Sequence, residues 1–228
     1  MTLRCPRMLV AAMVAGMISL LALSTYAAEG PSLTPQQAWE RLKDGNQRFA
    51  AERSENPDLG TARRKELVAG QHPFAAVLAC ADSRVPPELL FNQGLGDIFV
   101  VRVAGNVSEP FMLGSIDYAV EHLHVPLIVV LGHEKCGAVT AALGKDKPEG
   151  NLGKLIGEIH VDKHLPADKD AALARAVENN ARQQAKMLVE QSEVVREHVK
   201  QHKLLVVAGV YDLATGKVRW LTLVSPLP

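Results

Sequence analysis

The sequence predicts an α/β fold: a single domain with a mostly parallel central β-sheet of four strands plus an antiparallel edge strand, flanked by helices and preceded by an N-terminal helical arm. Three apolar runs, 74–79, 98–103 and 127–131, are rich in Val, Ile or Phe and do not alternate with polar residues. Strands read this way when both faces of a parallel sheet are covered. Helical patterns lie between these runs and after the third, and alternation of strand with helix is the mark of crossover units. From Thr34 onward no fixed-period repeat, low-complexity tract or Gly/Ser linker interrupts the chain, so one domain is expected.

The N-terminus stands apart. Arg4 and Arg7 precede an uncharged stretch, 8–23, which is shorter than the about 20 residues a bilayer span needs. Ser24-Thr25-Tyr26-Ala27-Ala28 follows, with small residues at 25 and 27. This is the pattern of a secretory signal peptide cleaved after Ala27. Residues 1–27 are therefore expected to be removed, with no membrane segment retained, leaving domain 28–228 in an exported, periplasmic protein.

The first helix begins at Thr34-Pro35-Gln36-Gln37, a hydroxyl cap followed by Pro at the first helical position and Gln at the third. Ala38, Trp39, Leu42 and Phe49 then recur at helical spacing to about Glu52. Helices are expected at 111–123, after the second strand, and at 136–143, after the third. The stretch 167–201 is rich in Ala, Glu, Gln, Arg and Lys, with an apolar stripe from Leu173 to Val199, and reads as one long helix or two. A fourth strand at 204–210 leads through the Gly216 turn to a last strand at 218–223, the antiparallel edge.

Composition limits the function. The 228 residues carry 25 Lys plus Arg against 25 Asp plus Glu, with 47% hydrophobic residues. That supports a sizeable core and excludes disordered, collagenous and disulfide-scaffold classes. A balanced charge lacks the basic footprint of a nucleic-acid binder, so no nucleic-acid partner is expected. Of three cysteines, Cys5 falls in the signal segment, and Cys80 and Cys136 remain.

Those two cysteines sit at strand ends. Strand one runs into Cys80-Ala81-Asp82-Ser83-Arg84, and strand three into Gly132-His133-Glu134-Lys135-Cys136-Gly137. In open parallel sheets ligands bind in the crevice beyond the strand C-termini. Cys80, His133 and Cys136 offer two thiolates and an imidazole, a set suited to zinc, and three protein ligands rather than four leave a position for water or substrate. Zinc lowers the pKa of bound water to about 7, which points to hydration or hydrolysis. Asp82 could reach the fourth position unless Arg84 holds its carboxylate in a bidentate pair. A Cys80–Cys136 disulfide and a zinc carrier without catalysis remain alternatives on these residues alone. The other histidines, among them His72, His122 and His160, have no partners at metal-ligand spacing and are assigned no role.

The combination Cys80-Ala81-Asp82-Ser83-Arg84-Val85 with Gly132-His133-Glu134-Lys135-Cys136-Gly137-Ala138 resembles the β-class carbonic anhydrases. The likeness extends to Gln71-His72-Pro73, Phe99-Val100-Val101-Arg102, Ser115-Ile116-Asp117-Tyr118-Ala119-Val120 and the Tyr211-Asp212 turn with Thr215-Gly216. The resemblance implies reversible hydration of carbon dioxide to bicarbonate and a proton through zinc-bound hydroxide, with one zinc per chain on Cys80, His133 and Cys136. It implies that Asp82 and Arg84 are the catalytic pair, with Asp82 ligating zinc in a closed state. By the same likeness Gln71 donates to substrate, Phe99 and Tyr118 line the pocket, and the enzyme is a homodimer or a dimer of dimers with pockets at the interface. It also implies that the first helix is an arm that packs on the neighbour. Relatives acting on carbon disulfide or carbonyl sulfide make such a zinc hydrolase the alternative activity.

The sequence departs from the family pattern at three places. Val103 stands where many members have Asn, and Glu134 where Ser or Thr is common. Val77 stands where some bacterial members carry a Trp that serves a regulatory bicarbonate site, so no such site is expected.

Overall fold

In the computed structural model, which describes residues 33–55 and 58–221, the apolar runs become neighbouring strands of one sheet. The helices and strands, in chain order, are α1 Pro35–Ala50, α2 Thr61–Leu67, β1 Ala75–Ala79, α3 Pro87–Leu90, β2 Ile98–Arg102, α4 Pro110–Glu121, β3 Leu127–His133, α5 Gly137–Leu143, α6 Gly150–Gly157, α7 Lys169–Gln191, α8 Glu193–Lys200, β4 Leu205–Tyr211 and β5 Val218–Trp220. A 3-10 turn, Ala104–Asn106, follows β2. The sheet order is β2-β1-β3-β4-β5, with the first four strands parallel and β5 antiparallel to β4. The expected signal segment and the end of the predicted last strand, 222–223, lie outside the described residues. Among the described residues no helix is long and apolar enough to cross a membrane.

Side chains alternate across a strand, and here both sides are apolar. Ala76, Leu78, Ile128, Val130, Val206 and Ala208 face α4, α5, α7 and α8. Ala75, Val77, Ala79, Val129, Leu131 and Val207 face α1, α3 and the Trp39–Trp220 edge contact. This explains why the runs do not alternate in sequence.

The Thr34 cap forms as expected: its hydroxyl accepts from Gln37 N, and the Gln37 side chain accepts from Thr34 N. The buried face of α1 lies on its own chain, not extended into solvent. Asn46 donates to Leu90 O (3.0 Å) and Gly216 O (2.9 Å) and accepts from Val218 N (2.8 Å), joining α1 to α3 and to the β4–β5 hairpin.

The stretch 167–201 is two helices. Ser192 ends α7 and caps α8, accepting from Val195 N and donating to Asp117 of α4. β3 runs two residues beyond the apolar run, because Gly132 and His133 pair with Val210 and Tyr211 of β4, and Gly132 lets α7 close on the strand. A Cβ at Gly132 would lie 3.3 Å from Ala181 Cβ and 3.4 Å from Val177 Cγ1.

Candidate metal centre and active site

β1 and β3 are adjacent and parallel, with Ala79 opposite Leu131. Cys80, the residue after β1, therefore emerges level with the end of β3, where His133 is the last strand residue. The chain then reverses through Glu134 and Lys135, the latter left-handed at φ 51°, and places Cys136 at the cap of α5. All three side chains are buried. Cys80 Sγ, Cys136 Sγ and an imidazole nitrogen lie within 4.8 Å of one another, and both cysteines are free thiols.

The donor set fits a metal. His133 Nδ1 is 2.8 Å from Glu134 O; a carbonyl only accepts, so Nδ1 carries the proton and Nε2 presents a lone pair. That Nε2 is buried with no hydrogen-bond partner among the described residues, a costly state unless something accepts the lone pair. Two soft sulfurs and one imidazole are the ligand types that zinc takes. The bond to Glu134 O also fixes the ring plane, as outer hydrogen bonds do for metal-ligating histidines.

The two neighbouring thiols are pulled in opposite directions. Cys80 is pulled down to about 4, first by the adjacent Cys136 thiol and then by His133 and the backbone amides of Asp82 and Gly105, against a burial penalty. Cys136 is pushed far up by its closeness to Cys80 and by burial. Cys80 is thus the sulfur favoured as thiolate and Cys136 the one favoured as thiol. Gly105 N donates to Cys80 Sγ at 3.4 Å from a left-handed backbone at φ 73°, and a Cβ there would meet Ile159 Cδ1 at 2.7 Å.

Asp82 and Arg84 form the expected pair. Arg84 Nε donates to Oδ1 (2.9 Å), Nη2 to Oδ2 (2.7 Å), and the Arg84 backbone N to Oδ1 (2.9 Å). These bonds hold the Asp82 carboxyl well below the usual carboxylate range. Asp82 Oδ2 is also 3.8 Å from His133 Nε2, so the carboxylate stands at the mouth of the ligand cluster while both its oxygens are in Arg84's grip.

Arg102 is a site residue that the sequence reading left without a role. Its Nε donates to Cys80 O (3.0 Å) and its Nη2 to Asp82 O (2.6 Å), clamping the loop that carries Cys80 and the Asp82 carboxylate. Its register opposite Ala79 makes this reach available, and only the pairing of β1 with β2 reveals it.

The remaining predicted residues lie elsewhere on the surface. Phe99 of β2 and Tyr118 of α4 are together, ring centroids 6.2 Å apart, and Tyr118 is 47% exposed. Gln71 is exposed in the loop before β1 and makes no hydrogen bond among the described residues. None of the three touches the ligand cluster through a hydrogen bond of this chain. As for the departures, the orienting bond to His133 uses the Glu134 backbone, so the side chain at 134 does not alter it. Val103 bonds through its backbone to Ala79 and Ala81, and Val77 is fully buried in the sheet core.

Comparison with known proteins agrees with this geometry. A family profile described as carbonic anhydrase matches residues 75–218. A relative in Mycobacterium tuberculosis, named Carbonic anhydrase 2, is 41% identical over 193 residues, covering 82% of this chain and 93% of its own. Among solved structures, the Coccomyxa β-carbonic anhydrase in complex with acetazolamide has a TM-score of 0.65 at 28% identity, over 80% of this chain and 86% of that one. A β-carbonic anhydrase from Sordaria macrospora, described as tetrameric, gives 0.64 at 25%, over 80% and 96%. With a family match across most of the folded chain and relatives of this identity sharing its parallel sheet, the chain belongs to the carbonic anhydrases, in their β class.

Proposed function

We propose that the protein hydrates carbon dioxide reversibly to bicarbonate and a proton, with one zinc held by Cys80, His133 and Cys136. The observation that carries this reading is the buried His133 Nε2, without a hydrogen-bond partner among the described residues, converging with two buried free thiols. When bound, the metal supplies a water of lowered pKa, about 7, and hence a nucleophile at neutral pH. Asp82, fixed by Arg84 on both oxygens, accepts a hydrogen bond from the attacking group and turns its lone pair toward the carbon, a positioning role. Arg102 keeps that carboxylate in place by holding the backbone on either side of it. One water and one carbon dioxide give one bicarbonate and one proton, so no redox partner is needed.

Half-buried Phe99, exposed Tyr118 and exposed Gln71 line the pocket only if a second subunit closes over it. A homodimer or a dimer of dimers is proposed on that ground, and the unpaired outer edge of β2 is consistent with an interface there. Export follows from the N-terminal pattern, and N-terminal sequencing of the secreted form should begin at Ala28.

The test is the initial rate of carbon dioxide hydration by full-length protein with one zinc per chain, at about pH 8.5. A rate well above buffer, abolished in Cys136→Ser, is expected. No rate with zinc verified in place would overturn the proposal.

A further inference from the structure

Two amide side chains sit where the core side of α7 would otherwise be apolar. Asn180 and Gln184, one turn apart, are fully buried beside Ala176, Val177, Ala181 and Leu188. Each of their four side-chain polar atoms has a partner. Asn180 Nδ2 donates to Gly105 O (2.9 Å), and its Oδ1 accepts from His160 N (3.1 Å) and from Gln184 Nε2 (3.4 Å). Gln184 Oε1 accepts from Ser108 N (2.8 Å) and Oγ (2.7 Å), and its Nε2 also donates to Glu158 O (2.9 Å). A buried polar network of this kind specifies one arrangement when every member is satisfied.

What it specifies is the stretch after β2. Gly105 and Asn106 are consecutive left-handed residues, at φ 73° and 45°, a backbone that persists only where its surroundings hold it. Gly105 is held at both polar atoms: its carbonyl by Asn180, and its N–H aimed at Cys80 Sγ. Asp82 N, in the segment of Cys80 itself, is also directed at Cys80, as Ala138 and Val139 are at Cys136; the Gly105 amide is the one that reaches a sulfur from another part of the chain.

We propose that Asn180, braced by Gln184, is a positioning residue of the metal centre, fixing the Gly105 amide against Cys80 Sγ and so setting how tightly Cys80, His133 and Cys136 hold their metal. The inference rests on the zinc reading above. It assigns to a helix residue without contact to metal or substrate a part in tuning one of the two sulfurs, as outer hydrogen bonds tune metal sites in general.

The experiment uses the full chain loaded with cadmium-113. In the wild type, the Gly105 amide proton should show scalar coupling to cadmium through Cys80 Sγ. Asn180→Asp keeps the shape and the acceptor for His160 N but turns an acceptor toward Gly105 O. It should abolish the coupling and weaken zinc binding about 10- to 100-fold in chelator competition. Asn180→Ala, which removes the donor without adding repulsion, should do no worse than Asp. Leu188→Ala, which opens the same helix's packing one turn beyond Gln184, should lower stability and leave coupling and affinity unchanged. Should Asn180→Asp fail to fold, Gln184→Glu, which loses the donors to Glu158 O and Asn180 Oδ1, should weaken zinc binding in the same direction.

Absence of the coupling in metal-loaded wild type, wild-type zinc affinity in the folded Asn180 or Gln184 variants, or an equal loss in Leu188→Ala would overturn the proposal. A wild type that takes up no metal would overturn the zinc reading, and the inference with it, and is distinguished from these by the metal content alone.

Discussion

Metal loading should release one proton per ion near neutral pH, not two. In the metal-free pocket the closeness of the two sulfurs brings Cys80 down to about 4 and drives Cys136 far up. Between about pH 6 and 8.5 Cys80 is therefore already a thiolate, and only the Cys136 proton remains to be displaced. Two independent thiols with ordinary values near 8.5 would give close to two protons at pH 7. The sign follows directly: metal competes with one proton, so apparent affinity rises about tenfold per pH unit across this window, against about a hundredfold for two. Calorimetric titration with cadmium, a soft ion suited to thiolates, in two buffers of different ionisation enthalpy counts the protons. A count near two per ion, or a hundredfold slope, would show that the sulfurs titrate independently and would refute the argument from their opposed shifts.

Three further outcomes are expected. Asn46→Ala leaves Leu90 O, Gly216 O and Val218 N without their partner. With each orphaned group worth about 1–3 kcal/mol and some rehydrated, urea unfolding should register a loss of about 3 kcal/mol with metal affinity unchanged. Arg84→Ala frees both oxygens of Asp82 and should lower the carbon dioxide hydration rate about a hundredfold at constant zinc content; full activity at every pH would sink the latch. Because Asp82 is held below its unfolded value, its stabilising contribution is complete above about pH 4. It is lost as pH falls through the folded value, so Asp82→Asn should flatten the acid limb of the stability curve, read by thermal unfolding.

The strands were legible because both faces of the sheet are covered, which leaves runs such as Ala75–Ala79 wholly apolar. The first helix was legible through its Thr34 capping box. Three helices were not. α2 buries no residue, α3 is a four-residue turn opened by Pro86 and Pro87, and α6 is eight residues of which three are glycine, which lowers helix propensity and hides its apolar face. The candidate ligands could be read because Cys80 and His133 stand at strand ends and Cys136 follows His133 by three residues. Arg102 and Asn180 could not, since one acts through its register in the sheet and the other through a helix 75 positions from the glycine it holds.

The ligands come from two strand ends that meet only when β1 lies against β3, with α3, β2 and α4 intervening in the chain. A metal ion therefore has no preformed nest in the unfolded chain, in contrast to short zinc-binding loops whose ligands are near neighbours. Long-range parallel pairing must come first, and it is slow because the entropy of closing the intervening loop is lost before any contact repays it. On the proposed zinc reading, metal capture is a late event that reports completed sheet assembly, and it adds stability to the finished protein by mass action.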